Sequence, residues 1–263
     1  MIRKPFFVRP LALYAIASGN EAVGYPASNL ALHKSIGTTW KSTGASNLWA
    51  RGQFDSARPV DFCAVIAANA LPGTKLRLRL GTSQAQVDGT APFDSGALDF
   101  ISPAIVREDG LYHSHLEIAS AVTASWWRID ITGHTGDFEA AMLVLGQRIE
   151  TSRFYNNDFE YGFEDLGEGK FTRFGVFDET PGVVLRTLDM TLAWVSEAEF
   201  FERFDPMLHA IGTRQPIYLC FDPAATTTRQ RKTYMGMLKK PGFARGRPKP
   251  GVFTQDYSLL SMI

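Results

Sequence analysis

Lys75-Leu76-Arg77-Leu78-Arg79-Leu80 alternates cationic and apolar residues with period 2. In an extended chain the three leucines share one face and the three cations the other, which is the pattern of a half-buried antiparallel strand. Pro72-Gly73 just before it is a turn signal. Val60 to Ala67, ahead of that turn, is a more continuous apolar run around Cys63 and reads as a central strand. Downstream, Trp126-Trp127-Arg128-Ile129-Asp130-Ile131 alternates again, sending one tryptophan inward and one outward, and Met142-Leu143-Val144-Leu145 ends at Gly146. Asp88-Gly89, Asp109-Gly110 and Gly133 to Gly136 punctuate these runs. Many short strands between frequent turns predict a sandwich or jelly roll.

The chain has 263 residues, enough for one large or two ordinary domains. Lys+Arg and Asp+Glu both number 27, so the net charge is zero and bulk nucleic-acid binding, which needs a positive surplus, is disfavoured. No apolar run approaches the length of a membrane span. Pro5 and Pro10 interrupt the basic start, which argues against a signal peptide. Cys63 and Cys220 each sit in an apolar run and read as buried thiols of a protein made in a reducing cytoplasm.

Past Gly146 the composition changes. Asn156 to Glu179 is rich in Phe, Tyr and Gly and carries seven carboxylates (Asp158, Glu160, Glu164, Asp165, Glu168, Asp178, Glu179) against Lys170 and Arg173. Val183 to Val195 reads as a long strand. Ser196 with Glu199 forms a capping-box signal, and Phe200, Phe204, Leu208 and Ile211 then recur at helical spacing up to Gly212. Pro206 inside this pattern predicts a kink or break. Gln215 to Phe221, Tyr234 to Leu238 and Val252 to Leu260 return to strand. The reading is a mostly β chain of two antiparallel β-sandwich or jelly-roll domains, with one short helix in the second. Residues 25–146 form the first, 147–263 the second, and 1–24 a strand segment packing on the second.

Motifs that carry chemistry are sparse. His113 and His115 are two apart, which suits two zinc ligands on one strand face, but no third ligand is apparent and a polar strand face is the favoured reading. There is no Gly-x-Ser-x-Gly elbow and no phosphate loop. The acid pairs Glu164-Asp165 and Asp178-Glu179 are adjacent, so their side chains point apart. No catalytic residue, metal site or cofactor is assigned. Tyr25, Trp40 and Trp49 lie in or beside a long loop and suit either stacking on sugar rings or plugging the sandwich. Arg229 to Lys249 holds eight cations and no acid, which reads as a solvated basic loop or as one half of a charge match. The other half is the acidic 156–179 segment. Glu164, Asp165 and Glu168 against Arg245, Arg247 and Lys249 are the candidate inter-subunit contacts, and opposite patches on one subunit favour head-to-tail association.

Tyr25 to Asp55, with Ala27-Ser28-Asn29-Leu30, Thr39-Trp40 and Trp49, followed by Val60 to Ala67, resembles the opening of discoidin-like (coagulation-factor C-type) β-sandwich domains. Trp127 to Ile131 and Glu139 to Gly146 resemble their closing strands. The resemblance implies a loop end that contacts glycans or lipid head groups. Leu145-Gly146-Gln147-Arg148, the strand Arg186 to Trp194, the helix from Ser196 to Ile211, and Gln215-Pro216-Ile217-Tyr218 with Asp222-Pro223 and Tyr234-Met235-Gly236 resemble tail-tip proteins of long-tailed bacteriophages. That resemblance implies a non-enzymatic virion protein like a distal tail protein, made in the host cytoplasm. It would form a ring, often a hexamer, that caps the tail tube and docks baseplate hub proteins. A glycan-binding adhesin acting on the host surface through the discoidin-like domain is the alternative.

Overall fold

The computed structural model describes residues 3–156, 158–246 and 250–263. The chain divides into two compact units, one comprising Phe7–Arg148 and Pro223–Lys232, the other Ile2–Phe6, Ile149–Asp222 and Thr233–Ile263. Both are dominated by antiparallel strands.

After β1 (Phe6–Val8), the first unit is built from β2 (Tyr14–Ser18), β3 (Trp40–Lys41), β4 (Trp49–Ala68), β5 (Lys75–Gly81), the short helix α1 (Gln84–Asp88), β6 (Phe93–Asp94), β7 (Leu98–Asp99), β8 (Leu116–Thr132) and β9 (Glu139–Gly146). Leu76, Leu78 and Leu80 of β5 are buried as their alternation requires. Each fully buried leucine contributes roughly 1.5–3 kcal/mol. The preceding turn forms because Pro72 presets one central position and Gly73, at φ +92°, takes the other. The Thr74 N–H donates to Leu71 O at 2.9 Å to close it.

Two long strands bend the first sheet over on itself. Trp49–Gln53 of β4 pair with β8, and Phe62–Ala68 pair with β9. Between them the β4–β8 register shifts twice, at Gln53/Arg58 and Val60/Phe62. Such irregularities increase twist and let one strand serve two layers. Side chains from both halves, among them Ala50, Leu78 and Ile129 on one side and Val65, Leu143 and Leu145 on the other, enter a single core. Trp127 is fully buried and Trp126 partly exposed, as the strand period demands.

Two stretches depart from the sequence reading. Residues 1–24 are split: β1 joins the second sheet, while β2 pairs with β4 through Tyr14↔Gln53 and Ser18↔Ala50. Residues 223–232 return to the first unit, where Gln230 Oε1 accepts the His113 N–H at 3.0 Å and the Arg229 guanidinium donates to Ser102 O. Contacts between residues more than a hundred positions apart leave no trace in local periodicity.

The second unit contains β10 (Arg148–Glu150), β11 (Glu160–Asp165), β12 (Glu168–Phe171), β13 (Phe177–Thr180), β14 (Val184–Ser196), β15 (Ile217–Cys220), β16 (Thr233–Leu238), β17 (Phe243–Gly246) and β18 (Val252–Ser261). Its main sheet runs β10-β1-β15-β16-β18-β14-β11, with β17 also on β18, and β12 and β13 pair as a two-stranded sheet. Ser196 caps the helical run, its Oγ accepting the Glu199 N–H at 3.2 Å. The reciprocal half of the capping box is not made. Glu199 instead accepts from the N–H and hydroxyl of Ser152, at 2.8 and 2.6 Å. The helix does not break at Pro206. A π-helical turn, Phe200–Phe204, precedes Asp205–Ile211, and this widening absorbs the proline's missing donor. Gly212, at φ +50°, ends the helix.

Candidate functional site

Pro26, extended at φ −68° and ψ 153°, feeds the 3-10 turn Ala27–Ala31. Asn29 anchors this turn by donating from Nδ2 to Thr39 O at 2.7 Å. The anchoring turns Trp40 into the core, where it is fully buried. Its indole N–H donates to Asn20 O at 3.1 Å, and Phe138 meets it edge-on at 5.7 Å. Trp40 therefore plugs the sandwich and is not a surface platform. Tyr25 is 44% exposed. The Trp49 ring is already stacked, with the guanidinium of Arg128 at 4.4 Å and that of Arg51 at 5.1 Å from its centroid. A sugar platform made of all three rings is not present.

Strand register explains the arginines around Trp49. Arg51 stands opposite Arg128, and Arg128 opposite Arg79, so three cations line up across β4, β8 and β5. Like charges directly opposed destabilise a sheet unless neutralised. Asp130 supplies the neutralisation, accepting from Arg128 at 3.0 and 2.8 Å and from Arg79 at 3.1 and 2.7 Å. Asp88, at the end of α1, takes Arg128 at 2.7 Å and also Arg51. Arg77 holds the neighbouring Asp94 carboxyl down at about 2. These groups saturate one another.

His113 is buried and His115 half-buried, and both make contacts within the fold. His113 Nδ1 accepts the Ala67 N–H at 3.0 Å, and His115 Nε2 lies 2.9 Å from Glu117. Among the described residues, no group of three or more His, Cys, Asp or Glu is placed to hold a metal. No helix among them is long and apolar enough to cross a membrane. Cys63 and Cys220 are both buried thiols, and burial pushes the Cys63 thiol up.

The acidic segment forms an arm. β11 pairs with β14 from Glu160↔Asp189 to Asp165↔Val184, and β12 pairs with β13 from Glu168↔Thr180 to Phe171↔Phe177. The Leu166 N–H donates to Val183 O at 3.1 Å between the two ladders, so the hairpin is continuous. At its tip the Thr172 N–H donates to Val176 O at 2.8 Å. Apolar side chains cover the arm yet face water: Phe163 is 76% exposed, Phe171 74%, and Phe174 79%, with Leu166, Val176 and Val183 also open. Exposed apolar surface on this scale marks an interaction surface. Sequence reasoning recorded the acids of this segment and missed its aromatics as a surface, although Phe163, Phe171, Phe174 and Phe177 were plain to see among polar neighbours.

The predicted charge match is partly consumed within the subunit. Glu164 binds Lys239 Nζ at 2.5 Å, and Asp165 accepts the Gly167 N–H at 2.8 Å. Arg245 lies 3.6 Å from Asp256 and stacks on Phe243 at 4.9 Å. Glu168 is exposed on β12, while Arg247 and Lys249 lie outside the described residues. The basic stretch is not one solvated loop, because it includes the buried strand β16. A groove of about 360 Å³ opens on the second sheet, lined by Asp158, Glu160, Asp189, Asp256, Lys240 and Phe243 among others.

No family model matches the chain, and no curated protein matches it. Solved structures similar to it include a fucose binding module of Streptococcus pneumoniae, at TM-score 0.40 and 8% identity over 52% of this chain and 95% of that one. A second is chitosan-binding module 1 from the chitosanase/glucanase of Paenibacillus sp. IK-5, at TM-score 0.36 and 14% identity over 52% and 97%. A third is the CBM32 of AlyQ in complex with 4,5-unsaturated mannuronic acid, at TM-score 0.34 and 15% identity over 52% and 96%. TM-scores this low assign neither fold nor ligand, and the β-sandwich assignment rests on the strand pairing itself.

Proposed function

We propose that this chain is a non-enzymatic structural subunit that assembles with copies of itself, as a component of a phage tail tip of the distal tail type. The observation that supports this reading is the arm, whose phenylalanines stand in water on a protruding hairpin. Burying them recovers roughly 25 cal/mol per Å², so an interface of ordinary size is firm without covalent links. Among the described residues β11 ends the sheet, which points the same way, since unpaired strand edges are normally covered. In this reading the second unit builds a ring at the end of the tail tube, and the first unit contacts neighbouring baseplate proteins or the host surface. Light scattering with negative-stain imaging of the purified chain tests it. Discrete rings support the reading, and a monomer at every concentration overturns it.

The second reading is carbohydrate binding by the first unit. Tyr25 supplies an exposed ring, while Trp40 and Trp49 are engaged elsewhere. Fucose, chitosan fragments and unsaturated mannuronic acid, the ligands named for the compared modules, are the sugars to try first. Titration of the full chain and of Tyr25→Ala tests this reading: saturable binding that the substitution abolishes supports it, and no binding overturns it.

A further inference from the structure

We infer that the tip of the arm seats in the groove on the second sheet of a neighbouring copy, with Arg173 entering the carboxylate row and Phe174 packing against Phe243. The inference rests on the assembly reading and names its contact. At the tip, the Arg173 guanidinium lies 4.7 Å from the Phe174 ring centroid, so a cation and an aromatic ring are presented together. Phe171 and Phe177, the last cross-strand pair before the tip, meet each other edge-on at 5.1 Å.

The groove is complementary. Glu160 stands directly opposite Asp189, and Asp189 opposite Ser258, across β11, β14 and β18. Two carboxylates facing each other across a strand pair repel, and neither forms a salt bridge among the described residues. Asp256 stands opposite Thr191 and Phe243 in the next row on the same face. With Asp158 the groove has four carboxylates against Lys240 and Arg245, and Pro241 and Phe243 give it an apolar wall. A guanidinium placed between Glu160 and Asp189 removes their repulsion, and an aromatic ring beside it finds Phe243, itself 42% exposed.

The occupant is a second copy because the arm cannot reach its own groove. Glu160 lies at the arm's root and in the groove, and Arg173 is at the tip. At about 3.3 Å per residue, the tip stands roughly 40–45 Å away along a paired hairpin. A hairpin laddered along both halves does not double back. Tip and groove are different surfaces, so the contact is head-to-tail and propagates to a ring or a filament.

Sedimentation velocity on the full chain tests this, with circular dichroism to confirm folding. Arg173→Glu and Asp189→Arg each weaken self-association at least ten-fold when alone, and Phe174→Ala does the same without a charge change. Mixing Arg173→Glu with Asp189→Arg restores assembly, because the acidic tip meets the basic groove and the other tip and groove are native. Wild-type association by Arg173→Glu, or a mixture that stays dissociated, overturns the tip-in-groove contact and leaves self-association standing. Wild-type chain that never associates overturns both. Loss on Phe174→Ala alone moves the tip to a different acceptor and overturns the groove assignment.

Discussion

The Phe177 ring lies across Gly169: a β-carbon on Gly169 would fall 2.4 Å from Phe177 Cζ. Glycine lets the phenylalanine cover the strand where a side chain would push it off. Gly169→Val displaces a ring on an exposed arm, so the fold loses about 0.5 kcal/mol or less. Self-association falls several-fold because the displaced Phe177 ring disturbs the Phe171–Phe177 pair next to the tip. Thermal melts and sedimentation of the same variant separate the two effects.

Gly236 is a sharper case. Its β-carbon would sit 1.9 Å from Leu260 O and 2.7 Å from the Ser261 Cα, both backbone atoms of the partner strand. No rotamer relieves that clash, and β16 and β18 must separate. Gly236→Ala costs about 2–3 kcal/mol. Urea unfolding shows the loss, with the midpoint lowered.

Asp130 is the counter-ion shared by Arg79 and Arg128 in a row of three opposed guanidiniums. Removing it leaves the buried Arg79 guanidinium without a carboxylate and Arg128 with Asp88 alone. Asp130→Asn costs about 2–4 kcal/mol. Added salt screens the remaining repulsion and recovers part of the loss, whereas salt has little effect on the wild type. Melting temperatures across a salt series check both statements.

The His33 imidazole lies 2.8 Å from Leu143 O through Nε2, and loss of water around the ring lowers its pKa below the ordinary 6.5. The unfolded chain therefore takes up a proton at a higher pH than the folded one. The stabilising contribution is complete above pH 6.5 and is lost as pH falls from there through the lowered value. Denaturant midpoints measured from pH 8 to pH 5 decline on the acid side, and His33→Gln flattens that decline.

Much of the strand framework was legible in the sequence. Lys75 to Leu80 and Trp126 to Ile131 announced both strand and inward face, because the two-residue period is a property of the chain itself. Pro72-Gly73 and Gly212 marked their turn and helix end for the same local reason. The candidate sites were less legible. Trp40 looks like Trp49 in sequence, yet Asn29 and Phe138 draw one into the core while Arg128 and Arg51 stack on the other. Glu199 carries a capping-box signature that Ser152, 47 positions away, outcompetes.

Local alternation, turn chemistry and the balance of charge, all set by neighbours in the chain, determined a mostly β, two-part protein without a net charge. Which aromatics are buried, which arginines share an aspartate and which phenylalanines stand in water were decided only by tertiary structure. Those outcomes depend on strand register and on contacts between distant residues, and one residue of register moves every side chain to the opposite face.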